Sequence, residues 1–174
     1  FQHRATARTE DAAHKSLSRK STKHEMDAIQ LLKADHREVE GWFEDFEKSR
    51  SSDKKAKLAH KICKALTVHT QIEEEIFYPA FLEVIGDEDM NDEAYVEHDG
   101  AKKLIAQIEA GTPDSDKWEA KVKVLSEMIK HHVHEEEMRD GMFAKAKKSD
   151  MDLEQLGARM AARKKELMKT AGQL

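Results

Sequence analysis

The sequence predicts an all-α protein: an up-down-up-down four-helix bundle with an extra C-terminal helix and a mobile N-terminal tail. Three observations carry that reading. Helix breakers are scarce, with 7 Gly and 2 Pro in 174 residues, while 37% of residues are charged, a composition of helices rather than sheets. Apolar residues recur at spacings of three and four along several long segments divided by short turn signals. Two of these segments also carry a histidine followed four positions later by a glutamate, His69 with Glu73 and His132 with Glu136. On a helix such pairs lie one above the other on the same face.

Composition narrows the function classes. The length suits one domain. A net charge of −5 gives no electrostatic footprint for nucleic acid. Cys63 is the single cysteine and cannot form an internal disulfide, which points to a reducing, cytoplasmic location. No run approaches the roughly 20 apolar residues of a membrane span, and no apolar secretory signal is visible.

Residues 1–24 carry Arg4, Arg8, Lys15, Arg19, Lys20 and Lys23 against only Glu10 and Asp11, with few apolar side chains. Such a segment buries too little surface to offset its ordering entropy and reads as a flexible basic tail. Residues 25–148 read as the bundle, and 149–174 as a C-terminal helix packed on it or used in association. The first helix, 25–48, shows Ile29, Leu32, Val39, Phe43 and Phe46 in register, and His36 fills the one gap. The second, 53–84, is capped by Ser52 or Asp53 and ended by Gly86. Ile62 and Ile76 lie seven residues from His69, and Leu66 and Ala80 seven from Glu73, so both polar residues face inward. Pro79 should bend this helix just past the pair.

The third helix starts near Asp89 or Asn91 and aligns His98 with Ala101, Ile105 and Ile108. Gly111-Thr112-Pro113-Asp114 stops the chain and restarts it. The fourth helix begins near Asp114 to Asp116. Its inward rows, Trp118, Val122, Leu125 and Ile129, extend to His132, Glu136 and then Phe143. That rhythm favours His132 over His131, held in reserve, and turns His134 away. A fifth helix over 150–169, capped by Asp152 or Asp150, carries Leu153, Leu156, Met160 and Leu167. Its Arg159, Arg163, Lys164 and Lys165 read as a solvated face.

One histidine on an apolar face is usually a core residue bonded to a neighbour. The set His36, His69, Glu73, His98, His132 and Glu136 is different. All six stand where the periodicity asks for hydrophobic residues, and burying them costs several kcal/mol unless they satisfy one another or a cation. Four imidazoles and two carboxylates exceed what one tetrahedral zinc takes. They suit two ions bridged by carboxylates and capped by imidazoles, iron first, with manganese or zinc able to substitute. Glu74, Glu75, Glu135 and Glu137 read mostly as a face either solvated or backing the ligands, and Cys63, Trp42 and Trp118 as packing residues.

The ordered series His36, His69-x-x-x-Glu73, His98, His132-x-x-x-Glu136 resembles the hemerythrin-like family with its HHE cation-binding motif. Local phrases support it: Leu32-Lys-Ala-Asp35-His36, Glu73-Glu-Glu-Ile-Phe77-Tyr-Pro79, Glu97-His98 and Glu135-Glu-Glu. The resemblance covers about residues 26–147, and the Asp152 to Lys164 segment is similar to the tail of bacterial members. It implies a four-helix bundle around two iron ions with an oxo or hydroxo bridge, His36, His69, His98 and His132 as terminal ligands, and Glu73 and Glu136 as bridges. Oxygen-carrying hemerythrins place a second histidine four residues after the third-helix ligand and close with an aspartate. Here Lys102 and Glu136 stand instead, which speaks against simple oxygen carriage. The stretch from Met138 to Phe143 should distort the fourth helix.

The first functional expectation is binding or sensing of dioxygen or nitric oxide, or a part in iron and redox stress, by a monomer or homodimer that needs neither nucleic acid nor membrane. The second is an enzyme acting on nitric oxide or peroxide, or repairing iron centres. The third is a metal-free structural bundle.

Overall fold

A computed structural model describes residues 25–171; the basic segment 1–24 lies outside them. The elements are helices α1 (Ala28–Lys48), α2 (Ser52–Ile72), a π-helical turn (Glu73–Phe77), α3 (Tyr78–Ile85), α4 (Glu88–Glu109), α5 (Trp118–Glu137), α6 (Met142–Lys147) and α7 (Leu153–Ala171). α1 packs on α2, α2 on α4, α4 on α5, and α5 returns to α1, which closes a four-helix bundle. Short connections between consecutive long helices make them antiparallel.

Local chemistry sets the boundaries. Asp27 and Gln30 form a reciprocal capping box, so α1 starts three residues later than the apolar pattern implies. Ser51 caps α2 by accepting from the Lys54 N–H, in place of the Ser52 or Asp53 expected from sequence. Gly86 ends α3 in the left-handed region with φ 74°, and Asp87 then caps α4. Lys117 takes φ 61°, and α5 begins only at Trp118. Asp152 accepts from the Gln155 N–H at the start of α7.

Ahead of Pro79, where a bend was expected, the chain takes a π turn over the pair's own segment, in which the Tyr78 N–H reaches the Glu73 carbonyl five residues back. The expected distortion after Glu136 is a full break. Gly141 crosses close to the Glu135 and Glu136 carbonyls where a β-carbon would collide, and Phe143 therefore sits on the separate helix α6. It is buried nonetheless, edge-on to Phe77.

The interior divides into two apolar clusters. One gathers Ile29, Leu32, Ile72, Phe77, Tyr78, Phe81, Phe143 and, from α7, Leu156 and Met160. The other gathers Val39, Phe43, Phe46, Ile62, Leu66, Ala101, Ile105, Trp118, Leu125 and Ile129. No helix among the described residues is long and apolar enough to cross a membrane.

Candidate metal centre

The six polar residues singled out by periodicity are all buried and all converge. α1 supplies His36, α2 His69, the π turn Glu73, α4 His98, and α5 both His132 and Glu136. They form two groups, His36 with His69 and Glu136, and His98 with His132 and Glu73, each with its donor atoms within 4.8 Å of one another. Glu73 Oε1 lies 3.0 Å from His69 Nε2 and 3.3 Å from His98 Nε2. Glu136 Oε1 lies 3.1 Å from His132 Nε2 and 3.4 Å from His36 Nε2. Each carboxylate thus touches one imidazole from each group.

These atoms are close without being satisfied. His36 Nε2, His69 Nε2, both Glu73 oxygens and Glu136 Oε1 are buried and lack an aligned hydrogen-bond partner. Orphaned polar groups are costly in a core. Five at one spot, on imidazoles and carboxylates, make a donor set that fits two cations with carboxylates between them.

Behind the four imidazoles runs a ring of carboxylates. Each occupies the far nitrogen, Nδ1, of a histidine on the next helix: Asp35 on His69 at 2.9 Å, Glu74 on His98 at 3.3 Å, Glu97 on His132 at 3.1 Å, and Glu137 on His36 at 2.8 Å. Such partners fix the tautomer and aim Nε2 inward. Every one of the four is the sequence neighbour of a residue in the centre, so adjacency was the signal for them. Sequence reasoning gave Asp35 and Glu97 no role of their own and read Glu74 and Glu137 as a face either solvated or backing the ligands; the structure gives them the second of these. Three carry an outer cation: Lys164 on Asp35, Lys102 on Glu74, and Arg37 on Glu137. Lys102 therefore points away from the centre. Glu97 instead neighbours His131, which is 65% exposed and pairs with Glu135. Burial and the nearby Glu97 raise the Glu135 carboxyl. His134 is exposed, as expected.

The polypeptide neutralises the site with protons. Burial alone would depress His69, but Glu73 and Asp35 outweigh it and lift the imidazole to about 10. Burial likewise opposes a charge on His132, and Glu136 with Glu97 raises it well above the usual histidine range. Burial would raise Glu73, yet His69 and His98 hold it well below the ordinary carboxylate value. A cation entering here displaces protons from the imidazoles.

Tyr78 is a residue the periodicity missed. Its hydroxyl lies 3.1 Å from His98 Nε2 and 3.3 Å from His132 Nε2, and donates to Glu136 Oε2 at 3.4 Å. Five residues after Glu73, a regular α-helix would turn it away; the π turn returns it to the same face. Burial first, then Glu136 and Glu73, raises its phenol well above 10, so it keeps its proton. On the opposite side a cavity of about 300 Å³ opens onto all four imidazoles, walled by Leu66, Ala101, Met128, Ile129 and Val133.

Comparison with known proteins agrees with this geometry. Residues 27–145 match the hemerythrin HHE cation-binding domain. A protein of Nostoc sp. described as a DNA nickase is 29% identical over 133 residues, 76% of this chain; the chain spans only 38% of that relative. The crystal structure of a hemerythrin HHE cation-binding domain-containing protein from Mycobacterium kansasii superposes with a TM-score of 0.70 at 22% identity, over 83% of this chain and 89% of that one. That likeness is one of fold.

Proposed function

Because the chain belongs to the hemerythrin HHE cation-binding family, we propose that its centre holds two iron ions and takes up a small ligand such as dioxygen or nitric oxide. One observation carries this reading: each buried carboxylate lies against one imidazole from each group, where it can bridge two cations. In it, His36 and His69 would hold one ion and His98 and His132 the other, with Glu73 and Glu136 shared.

Bound iron would supply reversible electron transfer and an attachment point for the ligand. The chain's own residues do the rest. The four carboxylates on Nδ1 orient the imidazoles. The largely apolar cavity favours small neutral molecules over hydrated anions. Tyr78 offers a proton-bearing hydroxyl beside His98 and His132. That hydroxyl favours a second reading, turnover of nitric oxide or peroxide, in which Tyr78 supplies a hydrogen bond at the centre. The nicking activity named for the Nostoc relative stays with that longer protein.

The test is iron per chain after reconstitution, with absorption spectra before and after air. The reading expects two irons per chain and new near-ultraviolet bands on oxidation. Folded protein that binds no iron would sink it, and consumption of nitric oxide or peroxide separates the two readings. His69→Ala and Glu73→Ala should each lose metal together with the thermal stability it confers.

A further inference from the structure

The C-terminal helix α7 begins beyond residues 27–145, the part that matches the family. It is not a bystander. Leu156 and Met160 join the apolar cluster of α1, the π turn and α6. Gly157 presses against the backbone of Met26 to Ala28 so closely that a β-carbon would lie 2.5 Å from the Met26 carbonyl oxygen. Seven residues on, two turns along the same face, Lys164 Nζ meets Asp35 Oδ1 at 2.5 Å. Gly157 to Ala28 and Lys164 to Asp35 share one separation, 129 positions, so α7 runs parallel to α1 in fixed register. The expectation of a solvated basic face holds for Arg159 and Lys165, which are exposed, and fails for the other two: Arg163 grips Glu75 with Nε at 2.7 Å and Nη2 at 3.2 Å, and Lys164 reaches a buried carboxylate.

Both contacts end on parts that hold the centre. Asp35 carries His69 on its other oxygen at 2.9 Å. Glu75 belongs to the π turn that presents Glu73 to the centre and Glu74 to His98. Taking His69 and Glu73 as metal ligands, we propose that α7 is a positioning element: Lys164, through Asp35, sets the orientation of His69, and Arg163, through Glu75, holds the π turn in place. Lys164 Nζ holds one Asp35 oxygen, and the other accepts from the His69 Nδ1–H, which leaves Nε2 for the metal. The route from Lys164 leads to the His36–His69 group alone, so one of the two metals is its target.

The experiment is anaerobic titration of the full chain with iron(II) against a chelator of known affinity. Wild type is compared with Lys164→Met, Lys164→Arg and Lys165→Met, an exposed neighbour on the same helix. The expected result is that Lys164→Met weakens one of the two binding steps by about 10- to 100-fold and leaves the other in place. Lys164→Arg should restore most of the loss, and Lys165→Met should match wild type. Equal weakening of both steps without rescue by arginine, or no weakening at all, overturns the proposal. His69→Ala run alongside separates the two levels: if it keeps both metals, the ligand assignment has failed rather than the role of α7.

Discussion

The two ends of the bundle treat the centre differently. On the side of Phe77, Tyr78, Phe81 and Phe143 the core is built from rings, all four 2% exposed or less. Phe143 stacks on the His36 ring with centroids 5.9 Å apart and packs edge-on against Phe77. On the other side, Leu66, Ala101, Ile129 and Val133 leave a cavity of about 300 Å³ against the same imidazoles. The packed end also receives α7 and the π turn, whereas the open end is built only from regular helix. The contrast teaches a division of labour. One end fixes where the side chains point; the other leaves room for something small to reach them.

Phe143→Ala should break the packed end and have the largest effect. Removing a buried phenylalanine costs about 3–5 kcal/mol. For a chain of this size that lowers Tm by on the order of 10 °C, measurable by calorimetry on metal-free protein. Tyr78→Phe keeps the ring and removes the hydroxyl, so the loss should be on the order of 1 kcal/mol. Its sharper readout is the absorption of the iron-loaded, ligand-bound protein, which should shift if the hydroxyl donates at the centre. An unchanged spectrum would restrict Tyr78 to packing.

Ala101→Leu tests the open end. Overpacking a filled core typically costs about 1–3 kcal/mol, but here the cavity accepts the added carbons, so the change should stay below about 1 kcal/mol. Nitric oxide binding to the reduced, iron-loaded protein should slow by about tenfold while the iron content holds. A large loss of stability with unchanged binding rates would reverse the roles assigned to the two ends.

The open end was legible in the sequence because it is periodic. Ile62, Leu66, Ala101, Ile105, Leu125 and Ile129 follow helical spacing, and His36, His69, His98 and His132 interrupt it at positions the structure buries together. The packed end was less legible: a bend near Pro79 and a distortion after Glu136 were expected, but not the residues they would move or the partners α7 would find. The π turn rotates Tyr78 into the centre, the break at Gly141 moves Phe143 to another helix, and α7 places Arg163 on Glu75 and Lys164 on Asp35. Adjacency could have found the carboxylates behind the imidazoles, but spacing alone could not say which histidine each would reach.

The smallest expected effect tests the most delicate choice made from spacing. His131 and His132 are neighbours, and both have a carboxylate four residues on, Glu135 and Glu136. The helical rhythm turns only one of them inward, and the structure buries His132 while His131 stays 65% exposed beside Glu135. A solvent-exposed ion pair of this kind contributes about 0–1 kcal/mol. His131→Ala should therefore keep the full iron content and a nearly unchanged Tm, whereas His132→Ala should lose iron. Equal iron loss in both would mean that Glu97, which lies 3.1 Å from His132 Nδ1 and 3.5 Å from His131 Nε2, needs His131 to hold its neighbour in place. The open end would then depend on its surface as much as the packed end depends on its core.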